Sequence, residues 1–543
     1  MRTSVTTPPR LLAERLVLLL AVVLPALFYV AGLGFVTDDW GFLALLKASP
    51  DQSVAGLYRT LAAAPNLAVR PPQILLYIAT WKAMPGSALG PHLINHAMLA
   101  GAVLLLHDAL RRLRGFAPLA LPLVLAYACA PHFSTTRMWY ANHMATLALL
   151  CFALALWLVV ALAQGETRRR PALLAALAGT ALLGALSYIL FAFVLLAVPV
   201  FVWTAQGSSL RDLRRDRRFA VTVAAVTLPL AATCAFQLWI GGELMPRRGA
   251  LDFALRTAVI YVRAAITDFG TLGVLLPWQT LRVLAGPFGH PVALLPGVAV
   301  AVAAAPLVRR AFAPSLEAPS PRFLALSGLV AFVLGYAGFV PVGFYEDGAF
   351  GIGNRDNVAG TLGAALLLAA GLCALARRYP RAATGLFLGM IGCGSTLVTQ
   401  LGMNWAEASA RQEALYARLR AAVGTPAKDT AVLLYGTCPY HGAVPVFVGS
   451  YGLGDRLYAD FPGRDLSANT IRNQSEVTPE GLRIADRWGA ETYPYGKLTV
   501  FDARTGMATP LPTRSAATTW FAAHPLAAST GCTFYGTSGV ALY

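Results

Sequence analysis

Residues 16–40 read LVLLLAVVLPALFYVAGLGFVTDDW. The stretch from Leu16 to Val36 is uncharged, and it closes abruptly on Thr37-Asp38-Asp39-Trp40. At 1.5 Å per residue, about 20 apolar residues cross the roughly 30 Å hydrocarbon core of a bilayer. The stretch therefore predicts a membrane span with two carboxylates at its exit. Similar runs recur along the chain, as at Ala141–Ala163. The 543 residues are 57% hydrophobic and only 13% charged, about half the ~25% charged share of a soluble globular protein. A soluble core can hide one such helix, but not ten. The basic N-terminus ahead of Leu16 has no small-x-small cleavage site behind it, so this first run reads as a retained span.

The net charge is +17, and its placement orients the spans. Arginines cluster in Met1–Arg15, Arg111–Gly115, Gln164–Pro171, Gln206–Arg218, Arg309–Arg322 and Arg377–Arg381. Short basic loops face the cytoplasm. No continuous basic face with interleaved aromatics is present, which sets nucleic acid aside as a partner. Spans are expected at 16–36, 92–110, 116–132, 141–163, 171–187, 188–205, 219–240, 291–308, 323–341, 358–376 and 383–402. About eleven crossings from a cytoplasmic N-terminus put the C-terminus outside. The run 171–205 is split at Ser187-Tyr188; leaving it whole would reverse everything downstream. Gly41–Met84 and Gly241–His290 mix charge with short apolar pieces. They predict interfacial helices on the outer face, within 41–90 and 241–290, with Trp40 and Trp81 as anchors.

The composition changes after Gly402. Residues 1–402 read as an all-α polytopic membrane domain, and 403–543 as a small extracytoplasmic α/β domain. Within the latter, Ala406–Val423 predicts a helix, and Ala431–Tyr435 and Lys497–Phe501 predict strands. Five of the seven cysteines lie in or beside spans and read as small apolar residues. Cys438 and Cys532 lie in the external part, where an oxidising compartment permits a disulfide. No Cys/His spacing resembles a zinc site.

Ionisable groups at a membrane rim are costly and need a reason. Asp38 and Asp39 could be a solvated helix end, bind a divalent cation, or supply a general base for a hydroxyl acceptor. On the same side lie the cations Arg70, Lys82, Arg137 and Arg355, and His143 beside Arg137. Arg355 sits in the most polar short outer turn, Tyr345-Glu346-Asp347…Asn354-Arg355-Asp356-Asn357. Arginine pairs with phosphate through a planar fork.

Three features in order resemble the polytopic GT-C class of glycosyltransferases that use polyprenyl-phosphate sugars. This broad group includes the protein mannosyltransferases and lipid A aminoarabinose transferases. One feature is the acidic exit Thr37-Asp38-Asp39-Trp40. The second is a long outer loop ending in Arg70-Pro71-Pro72, followed by Gln73…Tyr77 and Trp81-Lys82. The third is a span with His92, Asn95 and His96 that closes on Arg111-Arg112-Leu113-Arg114. The likeness covers roughly residues 15–200 in order and spacing, and beyond that only in layout. It implies a GT-C-like fold in the bacterial inner membrane. It also implies a catalytic aspartate falling on Asp38 or Asp39, and a polyprenyl-phosphate-sugar donor with no nucleotide bound directly. Transfer would go, with inversion, to a glycan, lipid or protein of the cell envelope. Arg70, Lys82, Arg137, His143 and Arg355 then become donor-phosphate or substrate contacts, with Trp40, His92, Glu346, Asp347 and Asp356 as further site candidates. The competing readings are a polysaccharide polymerase or ligase, which shares the donor type, a transporter or flippase, and a non-enzymatic receptor. Transporters place ionisable groups near mid-span and break their helices, whereas here the polar groups gather at one face.

Overall fold

The computed structural model describes residues 8–165, 169–241, 250–313, 319–341, 348–450, 452–471, 475–486 and 489–525. Among the described residues, seven helices are long and apolar enough to cross a membrane: 9–32, 89–112, 140–163, 170–187, 217–241, 291–311 and 380–423. Three further apolar helices are shorter, Ile189–Ala205, Pro321–Ala337 and Gly360–Ala376. Each of the eleven expected spans thus holds a helix, but only seven reach spanning length. The expected span 116–132 holds only the nine-residue helix Ala120–Ala128. Pro131 stops it, because the residue before a proline avoids helical geometry, and the chain turns through Pro131–Phe133 instead. The split at Ser187-Tyr188 is where one helix ends and extended backbone at Tyr188 begins.

The stretch 241–290 holds a bent helix pair among its described residues. Ala250–Val274 and Leu276–Ala285 are apolar enough to pass together as one span, bent by 73°. The bend follows a π-helical stretch, Ile266–Val274, and Pro277 opens the second arm. By contrast, 38–83 folds into four short helices around its own core of Leu43, Leu46, Leu57, Leu61, Ile74 and Tyr77.

The arginine clusters meet at one end of the bundle. Buried Glu14 contacts Arg10 at 3.0 Å, His107 at 3.2 Å and Arg111 at 3.8 Å. Asp108 pairs with Arg112 at 2.9 Å and Arg15 at 3.7 Å. Gln164 donates to the Arg112 carbonyl at 2.7 Å. Arg114, Gly207 and Ser320 line one shared pocket. Helices Pro321–Ala337 and Gly360–Ala376 run antiparallel, which brings the 377–381 cluster to the same end. They lie so close that a Cβ on Gly363 would come to 2.3 Å from the Phe332 nitrogen, the small-residue contact typical of membrane helix pairs.

The opposite end carries the polar turns and the C-terminal region. One unbroken helix, Pro380–Val423, passes through the 402/403 boundary and joins the two. Beyond it, strand Ala431–Tyr435 lies parallel to Ser467–Thr470 on one side and to Leu498–Asp502 on the other. Met507–Pro510 adds an antiparallel edge. A second sheet of 475–477, 481–486 and 489–494 is antiparallel. Cys438 is disulfide-bonded; Cys532 lies outside the described residues.

Candidate active site

The first helix ends at Ala26, just after Pro25, and a 3-10 turn at Val30–Gly32 leads to Thr37. Thr37 has φ 48°, a conformation that β-branched residues rarely adopt. Such strain costs roughly 1–3 kcal/mol and persists only where the surroundings enforce it. Gly452 of the C-terminal region packs beside it: a Cβ on Gly452 would sit 3.4 Å from the Thr37 Cα.

The two aspartates that follow part company. Asp39 is fully buried. Its Oδ2 accepts the Val36 N–H at 2.9 Å and its Oδ1 accepts the Ala141 N–H at 2.7 Å. Burial pushes its carboxyl well above the usual carboxylate range, against the pull of those two N–H groups. Asp38 is exposed in the first turn of helix Asp38–Ala48, where the helix N-terminus favours a negative charge. Asp39 therefore splices the loop onto the 140–142 turn, and Asp38 faces outward. Replacing Asp39 by Ala would leave two buried N–H groups without acceptors, so a loss of about 1–3 kcal/mol of stability is expected. Thermal unfolding of the detergent-purified variant measures it.

Two of the expected cations converge near this loop. The Trp139 indole donates to the Val36 carbonyl at 3.3 Å, and the Arg355 guanidinium lies over the Trp139 ring at 4.9 Å. Arg355 pairs with buried Asp356 at 3.5 Å. The Tyr188 hydroxyl donates to the same carboxylate at 3.3 Å. Arg70 lies over the Tyr188 ring at 5.3 Å. Arg70 and Arg355 thus flank one tyrosine, and Asp356 serves to hold Arg355. The Arg355 turn is itself fixed by Asn354. That amide accepts from the Ser134 hydroxyl and the Thr135 N–H, and donates to the Pro131 and Ala349 carbonyls.

Other expected contacts lie elsewhere. Arg137 is buried; it donates to the Ala128 carbonyl at 2.7 Å and stacks on Phe133. It braces the turn that ends the short helix. His92 and His143 are buried edge-to-face, 5.1 Å apart, and belong to the packing under the loop. Lys82 is exposed at the end of helix Pro71–Ala83 and has no ion pair among the described residues. Trp40 receives the Arg456 guanidinium at 4.2 Å, so it docks the C-terminal region where a membrane anchor was expected. Glu346 and Asp347 lie outside the described residues. A divalent cation at Asp39 would have to share oxygens that each already accept one backbone N–H. Among the described residues no group of three His, Cys, Asp or Glu side chains could hold a metal.

Sequence reading missed Tyr188 and Asp268. Tyr188 left a trace as the point where an overlong apolar run had to be split. Asp268 is buried in the π-helical stretch of the bent pair and accepts from the Tyr336 hydroxyl at 2.6 Å.

An apolar cavity of about 670 Å3 runs through the bundle from Tyr127 and Leu362 toward the arginine-rich end, where Leu110, Thr204, Leu210 and Phe323 line it. Tyr127 ties its wall to the Arg355 turn by donating to the Val358 carbonyl at 3.0 Å. The cavity is bordered by Val200, Leu326 and Val330, which are exposed on helices Ile189–Ala205 and Pro321–Ala337. That side would face lipid.

No family model and no curated protein matches the chain. Among solved structures, the chain is similar to ArnT from Cupriavidus metallidurans bound to undecaprenyl phosphate. The identity is 14%, covering 83% of this chain and 89% of that one, with a TM-score of 0.33. That likeness is too distant to carry chemistry across.

Proposed function

We propose that the chain is a membrane glycosyltransferase that moves a sugar from a polyprenyl-phosphate donor to an acceptor hydroxyl outside the cytoplasm. The observation that carries this reading is the pair of arginines, Arg70 and Arg355, held on fixed aromatic rings on the same side of the bundle as the Asp38 loop; an apolar cavity joined to the Arg355 turn through Tyr127 extends from there into the bundle. An isoprenoid tail suits the cavity, whose volume falls in the roughly 300–1,000 Å3 range of small-molecule sites. The donor phosphate then lies at Arg355 and Arg70.

Asp38 takes the proton from the acceptor hydroxyl. The acceptor oxygen bonds to the anomeric carbon as the bond from that carbon to the phosphate oxygen breaks, with inversion. The electron pair leaves with polyprenyl phosphate, whose growing charge meets guanidinium groups already oriented for it. Asp39 keeps the loop in place and takes no part in the proton transfer.

A flippase is the second reading. It draws on one observation, buried Asp268 in a sharply bent apolar helix pair, because broken helices and intramembrane carboxylates mark transport paths. Lipid-linked sugars are compared in cells with and without the gene. The accumulating polyprenyl-phosphate sugar is then given to the purified chain in detergent, where there are no two sides. Consumption with release of polyprenyl phosphate is expected. Absence of accumulation, or a donor that stays intact in detergent beside a cell extract as acceptor source, would overturn the proposal.

A further inference from the structure

Gln400, Asn404 and Glu407 follow one another at helical spacing on Pro380–Val423, so they share one face of that helix. Buried Gln400 accepts the His290 N–H at 2.6 Å, and it donates to the Phe288 carbonyl at 2.7 Å and to Asn404 Oδ1 at 2.8 Å. The loop ahead of helix Leu294–Ala311 is thereby pinned through its main chain. The His290 side chain reaches further along the same face, where its Nε2 meets Glu407 Oε1 at 2.9 Å. Glu407 Oε2 meets His441 Nε2 at 2.8 Å. One carboxylate thus joins two histidines, each through a different oxygen.

His441 belongs to a hairpin of the C-terminal region, in which Tyr440–His441 pairs with Val444–Pro445. That hairpin rests on the Arg355 turn. A Cβ on Gly351 would come to 2.7 Å from the Ala443 carbonyl oxygen, and Gly351 has a φ of +76°. Glycine is needed there on both counts: backbone meets backbone, and the conformation is left-handed. Ala443, Val444 and Val446 share one core with Ala349 and Phe350. The Gly351 carbonyl is held in turn by the Thr135 hydroxyl at 2.6 Å. Arg355 follows four residues later. Contacts therefore run from Glu407 through His441 and the hairpin to the turn that carries Arg355.

We propose that Glu407 is a positioning residue for Arg355: anchored by His290, it holds His441 and so keeps the hairpin seated on the Arg355 turn. This rests on the reading of Arg355 as a contact of the donor phosphate. An exposed ion pair usually contributes little, because two long side chains must be ordered to make it. Here most of that ordering is already done. Glu407 is 40% exposed but His441 only 13%, and the His441 ring centroid lies 4.4 Å from that of Phe288. Gln400 fixes both Phe288 and His290 by their main chain, His290 engages one Glu407 oxygen, and the other is left aimed at His441. The bland role for Glu407 is a surface ion pair that tidies its own neighbours and reaches no further.

Hydrogen–deuterium exchange of the full-length, detergent-purified protein, read by mass spectrometry, separates the two roles. Glu407→Leu removes both contacts and keeps the bulk. Glu407→Gln keeps a partner for each ring, since a neutral imidazole can accept as well as donate. In Glu407→Leu the amides of 348–358 are expected to exchange about tenfold faster, the effect of losing one hydrogen bond to a charged group. The buried strand Ala431–Tyr435 should not change, and Glu407→Gln should restore most of the protection. His441→Phe cuts the same link from the hairpin side and should match Glu407→Leu. Faster exchange confined to 286–290 and 440–446, or spread equally into the strand, would overturn the proposal. Polyprenyl phosphate added to wild type forms a separate arm and should slow exchange in 348–358. Failure of that arm alone would refute the phosphate reading of Arg355 and leave the link from Glu407 to the turn standing.

Discussion

Asparagine at position 38 is expected to yield a folded protein that transfers sugar at least ~100-fold more slowly than wild type, the lower end of what a positioned general base contributes. The side chain is exposed at the start of a helix and is not an acceptor for the loop's buried N–H groups. Its loss removes the favourable interaction of a carboxylate with a helix N-terminus, about 0.3–1 kcal/mol. Asp39→Ala should show the reverse profile, with stability falling first and activity following it. Turnover of the lipid-linked donor and the unfolding midpoint, measured on both variants, distinguish the two. Full turnover in Asp38→Asn would remove the base from the mechanism.

The second large effect is expected at Arg355. Alanine there should lower kcat/KM by roughly 100- to 1,000-fold, the scale for deleting one preorganised donor to a developing oxyanion. It also leaves Asp356 buried without its cation, so part of any loss could be structural. Lysine is the informative variant. It keeps the charge beside Asp356 but lacks the planar fork that stacks on Trp139 and pairs with phosphate at two points. Arg355→Lys should hold the unfolding midpoint near wild type while recovering little of the rate. Recovery of full rate by lysine would mean that Arg355 acts as a plain counter-charge. Arg70, without a carboxylate partner among the described residues, should show a rate loss with almost no loss of stability.

Local features of the fold were legible because they are set by neighbours in sequence. The uncharged run before Asp38, the break at Tyr188 and the strand Ala431–Tyr435 each depend on a few adjacent residues. The shortness of Ala120–Ala128 follows from Pro131 just as locally, yet hydropathy alone carried the expected span through to 132. The site was less legible, because its contacts are distant in sequence. Asp38 and Asp39 are neighbours of the same type, and only the Ala141 N–H, 102 residues away, tells them apart. Arg137 looked like a rim cation in sequence, but its backbone acceptors bury it. The role of Trp40 depends on Arg456, far along the chain. The arginine clusters gave the most from the least: their common end in the folded bundle was implied by counting alone.

The central claim is that the rim around Arg355 and Arg70 recognises a phosphate carried on an isoprenoid chain. Native mass spectrometry of the detergent-purified protein, challenged with polyprenyl phosphate and with the matching polyprenol, tests it most directly. Wild type should retain the phosphate form preferentially, and Arg355→Ala combined with Arg70→Ala should lose that preference while still holding the alcohol. Equal retention of the two lipids by wild type, or an unchanged preference in the double variant, would contradict it.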